Sequence, residues 1–468
     1  MFVCVDFYRA AGQSRNYDRR EGSLMRILIV GAGEVGSSIA ANLAATHEVV
    51  VIEQDPVLVE KLNYSLDVLA VQGDGTDLEV LRDADIDRAD MVIAATDSDE
   101  TNIVISGTAK TVTDTFTIAR VKRRQLLTTW EQSHGAFGVD FMVCSDLVTA
   151  EAIYRISAVP HAHDVDEFSN GLVQMVELKV EAGSPIVGKS VREADQYDSM
   201  TFAAIFRDQE LIVVTGETTI QAGDSIVVIG SSESVRSFTN ESAVEGDEEI
   251  EDVVIIGGSK AGHQTARVFE EHGYRPRLIE KDRDRARYLA EELQQTTVLE
   301  SDATDVEFLA REHVGEADVV VVCLESDEKN LLVSLLARKL GAKRTVAIVE
   351  TADYSDLFEA VGVNIAVDPR METAEEIVRF TREGHTEKVA MLQHDRAEVL
   401  EVELDETSPV AGRKLVDVVS DLPDGVVIGA ISRDGTLLAP RGETVFQTGD
   451  HVIIFVDAEV LNDVVPQF

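Results

Sequence analysis

The sequence is poor in cysteine, in uninterrupted apolar runs and in positive charge, and each shortage excludes a class of protein. Cys4, Cys144 and Cys323 are too few and too scattered for a disulfide framework or a four-thiolate metal site. Buried thiols in a reducing cytoplasm are expected instead. No segment approaches the ~20 consecutive apolar residues of a membrane-spanning helix, because every strand-like run is soon cut by Asp, Glu, Gly or Arg. A soluble protein is expected. Basic residues number 42 against 86 acidic ones, a net charge of −44, so nucleic acid would be repelled. The acidic excess runs along the whole chain rather than in a tail, and lysine is rare beside arginine. Such a halophilic composition suits a salt-rich cytoplasm, where mobile ions screen the self-repulsion.

What is present is a repeat. At 468 residues the chain is too long for one core. The second half follows the first at an offset of 224 to 228 residues. Gly31 maps to Gly257, Asp74 to Asp302 and Asn102 to Asn330, and Ser184-Pro185 recurs as Ser408-Pro409. Arg207-Asp208, Gly216-Glu217-Thr218 and Gly223-Asp224 recur as Arg433-Asp434, Gly442-Glu443-Thr444 and Gly449-Asp450. A repeat this long is a duplicated pair of domains, not a solenoid.

Each copy opens with buried-strand runs separated by helical spacing. "ILIVGAG", "EVVVIEQD", "DVLAVQGD", "DMVIAATD" and "TFTIARV" predict a doubly wound parallel sheet of the α/β class. "GLVQMVELKV", "TFAAIFRDQELIV" and "DSIVVIGS", with a short helix in "SPIVGKSVRE", then predict a small α+β domain. Two Rossmann-like domains are therefore expected at 25–145 and 252–371, each followed by a small α+β domain at 165–240 and 387–468. "ESAVEGDEEIED" is expected to be linker. Residues 1–24 carry several arginines and no apolar period. They are expected to be a non-structural leader, and a start codon misassigned ahead of Met25 explains them.

Gly31, Gly33 and Gly36, with Ala32, Glu34 and Val35 between them, form a G-x-G-x-x-G loop after a strand and before a helix. The first glycine permits the turn, the second admits a pyrophosphate, and the third lets the helix pack on the strand. Glu53 closes the second strand, where an acid accepts bonds from ribose hydroxyls and repels a 2′-phosphate, so NAD(H) or an adenine nucleotide is favoured over NADP. A solvated strand-end glutamate is the bland alternative. Gly73-Asp74, Thr96-Asp97 and Arg120 lie at or past the ends of the third, fourth and fifth strands and should rim one crevice. Arg120 is placed to bond a phosphate, or to pair with Asp74.

Nothing in this crevice is poised for catalysis. A hydride-transfer enzyme needs a tuned acid or base beside the substrate, and His47 and His134 fall away from the strand ends. His161, His163, Asp164 and Asp166 could hold a divalent ion, although a polar linker is the simpler reading. An NAD-dependent oxidoreductase and a stand-alone nucleotide-binding scaffold remain open.

The order of glycine loop, "VIEQD", "VQGDGTD", "DMVIAATDSDETN" and "IARV", followed by "SPIVGKSV" and "QAGDSIVVIG", resembles the RCK (KTN) regulatory domain of potassium channels and transporters over residues 25 to 468. Two tandem copies in one chain are similar to the cytoplasmic regulatory subunits of potassium-uptake systems. The resemblance implies binding of NAD(H), ATP or ADP, an oligomeric ring, no enzymatic activity, and gating of a membrane-embedded potassium-translocating (TrkH-like) subunit at the inner face of the membrane. In the second copy the loop is Gly257, Gly258, Ser259 and Gly262. Glu280 and Asp302 persist, but Ser259 crowds the pyrophosphate and Ile348 replaces Arg120. A site that lacks a cation and is weak for anions, or empty, is expected there.

Overall fold

The computed structural model describes residues 24–44, 46–133, 136–159, 162–207, 210–242, 250–351, 354–382, 388–392, 396–464 and 467–468. In the first half β1 (Arg26–Val30), α1 (Glu34–Ala44), β2 (Glu48–Glu53), α2 (Pro56–Ser65), β3 (Leu69–Gln72), α3 (Leu78–Asp83), β4 (Met91–Ala94), α4 (Asp99–Val112), β5 (Phe116–Val121), α5 (Arg124–Gln132), β6 (Phe141–Cys144) and α6 (Ser145–Ala158) alternate. Then come β7 (Ala162–Phe168), β8 (Val173–Lys179), α7 (Val191–Ala194), β9 (Met200–Arg207), β10 (Glu210–Val213), β11 (Ser225–Gly230) and α8 (Ser232–Ser242).

The second half repeats the order. It contains β12 (Val253–Ile256), α9 (Lys260–Glu271), β13 (Arg277–Glu280), α10 (Arg283–Glu292), β14 (Thr297–Glu300), α11 (Val306–Arg311), β15 (Val319–Val322), α12 (Asp327–Leu340), β16 (Arg344–Ile348), α13 (Ser355–Val361), β17 (Ile365–Val367) and α14 (Pro369–Arg382). β18 (Lys388–Leu392), β19 (Ala397–Glu403), α15 (Leu415–Val419), β20 (Val426–Arg433), β21 (Thr436–Leu438), β22 (His451–Asp457) and α16 (Leu461–Val464) complete it.

The chain folds as two compact units, one holding both parallel sheets and the other both antiparallel sheets. The parallel sheets run β3-β2-β1-β4-β5-β6 and β14-β13-β12-β15-β16-β17, so the strand order reverses between β1 and β4 and again between β12 and β15. Every residue of β1, β4, β12 and β15 is buried, as apolar strands covered by helices on both faces require. Turn chemistry starts the helices. Asp55, Asp77, Asp282 and Asp305 each accept a first-turn N–H of α2, α3, α10 and α11, and Ser98 does so for α4.

The repeats exchange their last helices within this unit. Tyr154 on α6 stacks on His272 at 3.8 Å and meets Phe269 and Tyr274 edge-on, all three in the second repeat. Phe380 on α14 stacks on Phe141 at 3.9 Å in the first repeat. Val268 of α9 enters the core that Trp130, Leu147 and Ala150 build under β5 and β6.

In the second unit the sheets run β10-β9-β11-β8-β7 and β18-β19-β22-β20-β21. Met175, Phe206 and Ile229 share one core with Val399, Ala430 and Phe455. The recurring Arg and Gly-Asp positions prove to be one device used twice. Arg207 grips Asp224 through Nε at 2.7 Å and Nη2 at 2.8 Å, and Arg433 grips Asp450 at 2.6 and 2.8 Å. Both aspartates are fully buried, so losing either arginine costs roughly 3–5 kcal/mol.

Two expectations change. Each parallel sheet has a sixth strand, β6 or β17, of four or three residues, beyond the five strands expected. His163, Asp164 and Asp166, expected in a polar linker, lie in edge strand β7, in which Ala162, Val165 and Phe168 are buried among acids. Those acids hid an irregular alternation, broken by a register shift between Ala162 and Asp164. His161, Cys4 and residues 1–23 lie outside the described residues, as do residues 243–249 of the expected linker. Cys144 and Cys323 are buried, and burial pushes both thiols up to about 12.

Candidate functional site

A cavity of about 730 Å³ opens at the carboxyl end of the first parallel sheet, where the strand order reverses. Gly31, Gly33, Glu34, Val35, Glu53, Gly73, Asp74, Thr96, Asp97 and Arg120 line it, together with Leu58 of α2 and Arg370 from the second repeat. Ala32 and Gly36 serve the loop from behind. Gly31 has φ +100°, a turn that a side chain would strain, and a Cβ on Gly36 would overlap the Gly31 carbonyl oxygen. A Cβ on Gly33 would meet nothing within 4 Å, so the space above that backbone is open. This is a fit for a pyrophosphate against the N-terminus of α1.

The acids of the crevice bond the backbone. Glu53 accepts the Ala32 N–H at 2.6 Å and the Gln54 and Asp55 N–H groups at 2.7 and 2.9 Å, so β2 holds the loop through this carboxylate. Asp74 accepts the Thr76 N–H at 2.9 Å and its hydroxyl at 2.7 Å, and these bonds lower its pKa. Thr96 donates N–H and hydroxyl to Asn102, whose amide donates to the carbonyls of Thr96 and Arg120. Fully buried, Asn102 therefore ties the ends of β4 and β5 together.

Arg120 is the buried cation of the site, 6% exposed. Its partner is Asp97 at 3.4 Å, not Asp74 as expected, because Asp74 is turned into its own loop by Thr76. The Arg120 Nε donates to Ser145 at 3.0 Å, and Lys122 shares Asp97 at 3.3 Å. Burial holds the Arg120 pKa below the ordinary arginine value despite Asp97.

The second crevice repeats the supports. Glu280 accepts the Gly258 N–H at 2.7 Å, Asp302 takes both groups of Thr304, and Asn330 bonds the carbonyls of Leu324 and Ile348. Gly257 has φ +103°, and a Cβ on Gly262 would strike the Gly257 carbonyl oxygen. The expected loss of all cationic character there is wrong. Arg285 on α10 lies across the loop, donating to the Gly258 carbonyl at 2.6 Å, and Leu289 packs against Gly258. Ser259 turns its hydroxyl onto the Gly262 N–H at 3.1 Å. The second loop is thus covered by its own chain.

His47 lies in the turn before β2, at the opposite end of the strand from the crevice, and His134 is outside the described residues. Among the described residues no cluster of three metal-capable side chains occurs, and no helix is long and apolar enough to cross a membrane.

The TrkA-N domain family matches residues 27–144 and 253–369, and the TrkA-C domain family matches 175–243 and 399–468. The chain belongs to the TrkA family. It is 36% identical to a Trk system potassium uptake protein TrkA homolog of Archaeoglobus fulgidus, covering 92% of this chain and 97% of that one. Against the TrkA protein of Halomonas elongata identity is 33%, over 94% and 98%. Among solved structures the GsuK RCK domain superposes with a TM-score of 0.58 at 21% identity, covering 95% and 96%. The GsuK channel bound to NAD gives 0.58 at 20%, covering 99% and 83%. These two show the fold, a tandem of Rossmann-like and small antiparallel domains. Arg370 lies one residue past the second TrkA-N match, and nothing in the glycine-loop pattern points to it. Leu58 and Arg285 were also missed, although their helix starts are marked by Asp55 and Asp282.

Proposed function

We propose that this chain is the nucleotide-sensing regulatory subunit of a Trk-type potassium-uptake system. NAD(H), or ATP or ADP, binds the first crevice, with the pyrophosphate on the Gly31–Gly36 loop and Arg120, and the ribose at Glu53. The observation that carries the reading is the open backbone above Gly33, which lines one cavity of nucleotide size with the buried Arg120. The GsuK channel bound to NAD supports it by likeness of fold.

A nucleotide that binds two arrangements of the subunit unequally shifts their balance, and that difference in affinity is the whole of the work available. No chemical step is needed. The partner is a membrane-embedded, TrkH-like potassium-translocating subunit, met from the cytoplasmic side by a homo-oligomeric ring. The second crevice serves as scaffold. Calorimetric titration of NADH, NAD, ATP and ADP, paired with potassium flux in vesicles holding the membrane subunit, tests this reading. Saturable binding with a nucleotide-dependent change in flux is expected, and flux indifferent to every bound nucleotide refutes it.

A further inference from the structure

Arg370 is the second residue of α14, the helix that the second repeat lends to the first. Asp368 accepts its N–H at 2.8 Å and fixes that first turn, which places the side chain in the wall of the first crevice. There the guanidinium pairs with Glu34 on the glycine loop and donates to the Glu350 carbonyl at 2.5 Å. It stands near enough to Arg120 to disfavour the charge of that guanidinium. Two arginines, one from each repeat, thus face a single cavity.

Glu34 is out of keeping with an anion site. It sits at the N-terminus of α1, where exposed N–H groups favour negative ligands and a fixed carboxylate competes with them. Arg370 neutralises it. At the equivalent positions of the second crevice the signs are exchanged, and Lys260 there acts on Asp146 through its charge. Lys260 stands at the place of Glu34, 226 residues on, and Asp146 stands 224 residues before Arg370. Only in the first crevice does the crossing helix bring a cation to the loop.

We propose that Arg370 is a phosphate-binding residue of the first crevice, supplied by the second repeat and held by Glu34 until the anion displaces it. The proposal rests on the nucleotide reading of that crevice. Binding then draws on both repeats at once, because the phosphate sits on β1–α1 of one and on α14 of the other.

Calorimetric titration of ADP and of adenosine onto the full chain, at one fixed salt concentration, tests it. Arg370→Gln is expected to weaken ADP tenfold or more and adenosine less than about twofold, since only the phosphates meet the guanidinium. Glu34→Gln is expected to tighten ADP about threefold by freeing Arg370 and removing a competing charge. An Arg370→Gln protein that binds ADP as wild type does overturns the proposal, and so does an equal loss for ADP and adenosine, which marks a structural role. Should that variant fail to fold, Glu34→Gln decides, and unchanged ADP affinity counts against it. Wild type that binds neither ADP nor NADH overturns the nucleotide reading as well.

Discussion

Gly33 in the first loop and Ser259 in the second hold the same place in the same fold, yet one looks into a cavity and the other sits beneath an arginine of its own chain. Side chains that bond the backbone are shared by the two crevices. Glu53 and Glu280 hold their loops, Asp74 and Asp302 close the same threonine turn, and Asn102 and Asn330 clasp neighbouring strand ends. Side chains that face the cavity differ. Leu58 becomes Arg285, Thr96 becomes Leu324, and Arg120 becomes Ile348. An acid repeated at a strand end therefore speaks for the scaffold first, and the ligand is read from the positions that changed.

The comparison breaks most readily at Arg120. Arg120→Ala and Glu53→Ala are each expected to weaken nucleotide binding tenfold or more, about 1.4 kcal/mol or above, because each removes a directed bond in a partly desolvated crevice. Glu280→Ala is expected to change it less than about twofold, since the second loop is already covered. Calorimetry on the three variants decides, and a larger loss for Glu280→Ala would exchange the roles of the crevices.

Gly33→Ser copies the second loop into the first. The open space above Gly33 means the fold should keep its melting temperature within about 2 °C, as an uncrowded surface substitution does. Nucleotide affinity should fall several-fold, because the new side chain stands where a pyrophosphate approaches. A fall in stability without a fall in affinity would show that Gly33 serves the backbone instead.

Much of this was legible from residue order, and the remainder fails for identifiable reasons. The first five strands of each parallel sheet, the glycine loop and the rim at 53, 74, 96 and 120 follow from local pattern and topology. β6 and β17 escape because the series of strand motifs stops at the Arg120 strand, and not because they are short, since β6 matches β4 in length. β7 escapes because acids interrupt its apolar face. The ion pair of Arg120 was assigned to Asp74 by charge alone, whereas Thr76 had already claimed that carboxylate. Arg370 is 336 residues from Glu34, and only the exchange of last helices brings them together.

The smallest expected effect concerns acid. His263 on α9 stands where the first repeat has Ser37, and burial, with Arg285, Arg267 and Arg124 nearby, lowers its pKa to about 4. The residue is 8% exposed, and Tyr288 meets its ring edge-on at 6.0 Å. The folded state thus favours the neutral imidazole, so the unfolded chain binds the proton first as pH falls. Stability from this residue is fully present above about 6.5 and is lost on the way down to about 4. Asp146 acts in the opposite sense. Burial raises it to about 6, so its ionised form burdens the fold above that value and the burden lifts as pH drops towards 3.8. The two partly cancel in wild type, and a substitution is needed to separate them. Solvent screening cuts the full linkage energy, so roughly 1 kcal/mol is expected from His263 between pH 6.5 and 4. His263→Ser should remove that slope and leave the contribution of Asp146, so that denaturant midpoints at pH 7 and pH 4.5 lie closer together, or invert, relative to wild type. Parallel pH profiles for the two proteins would show that the imidazole on the second loop helix titrates as it does in water.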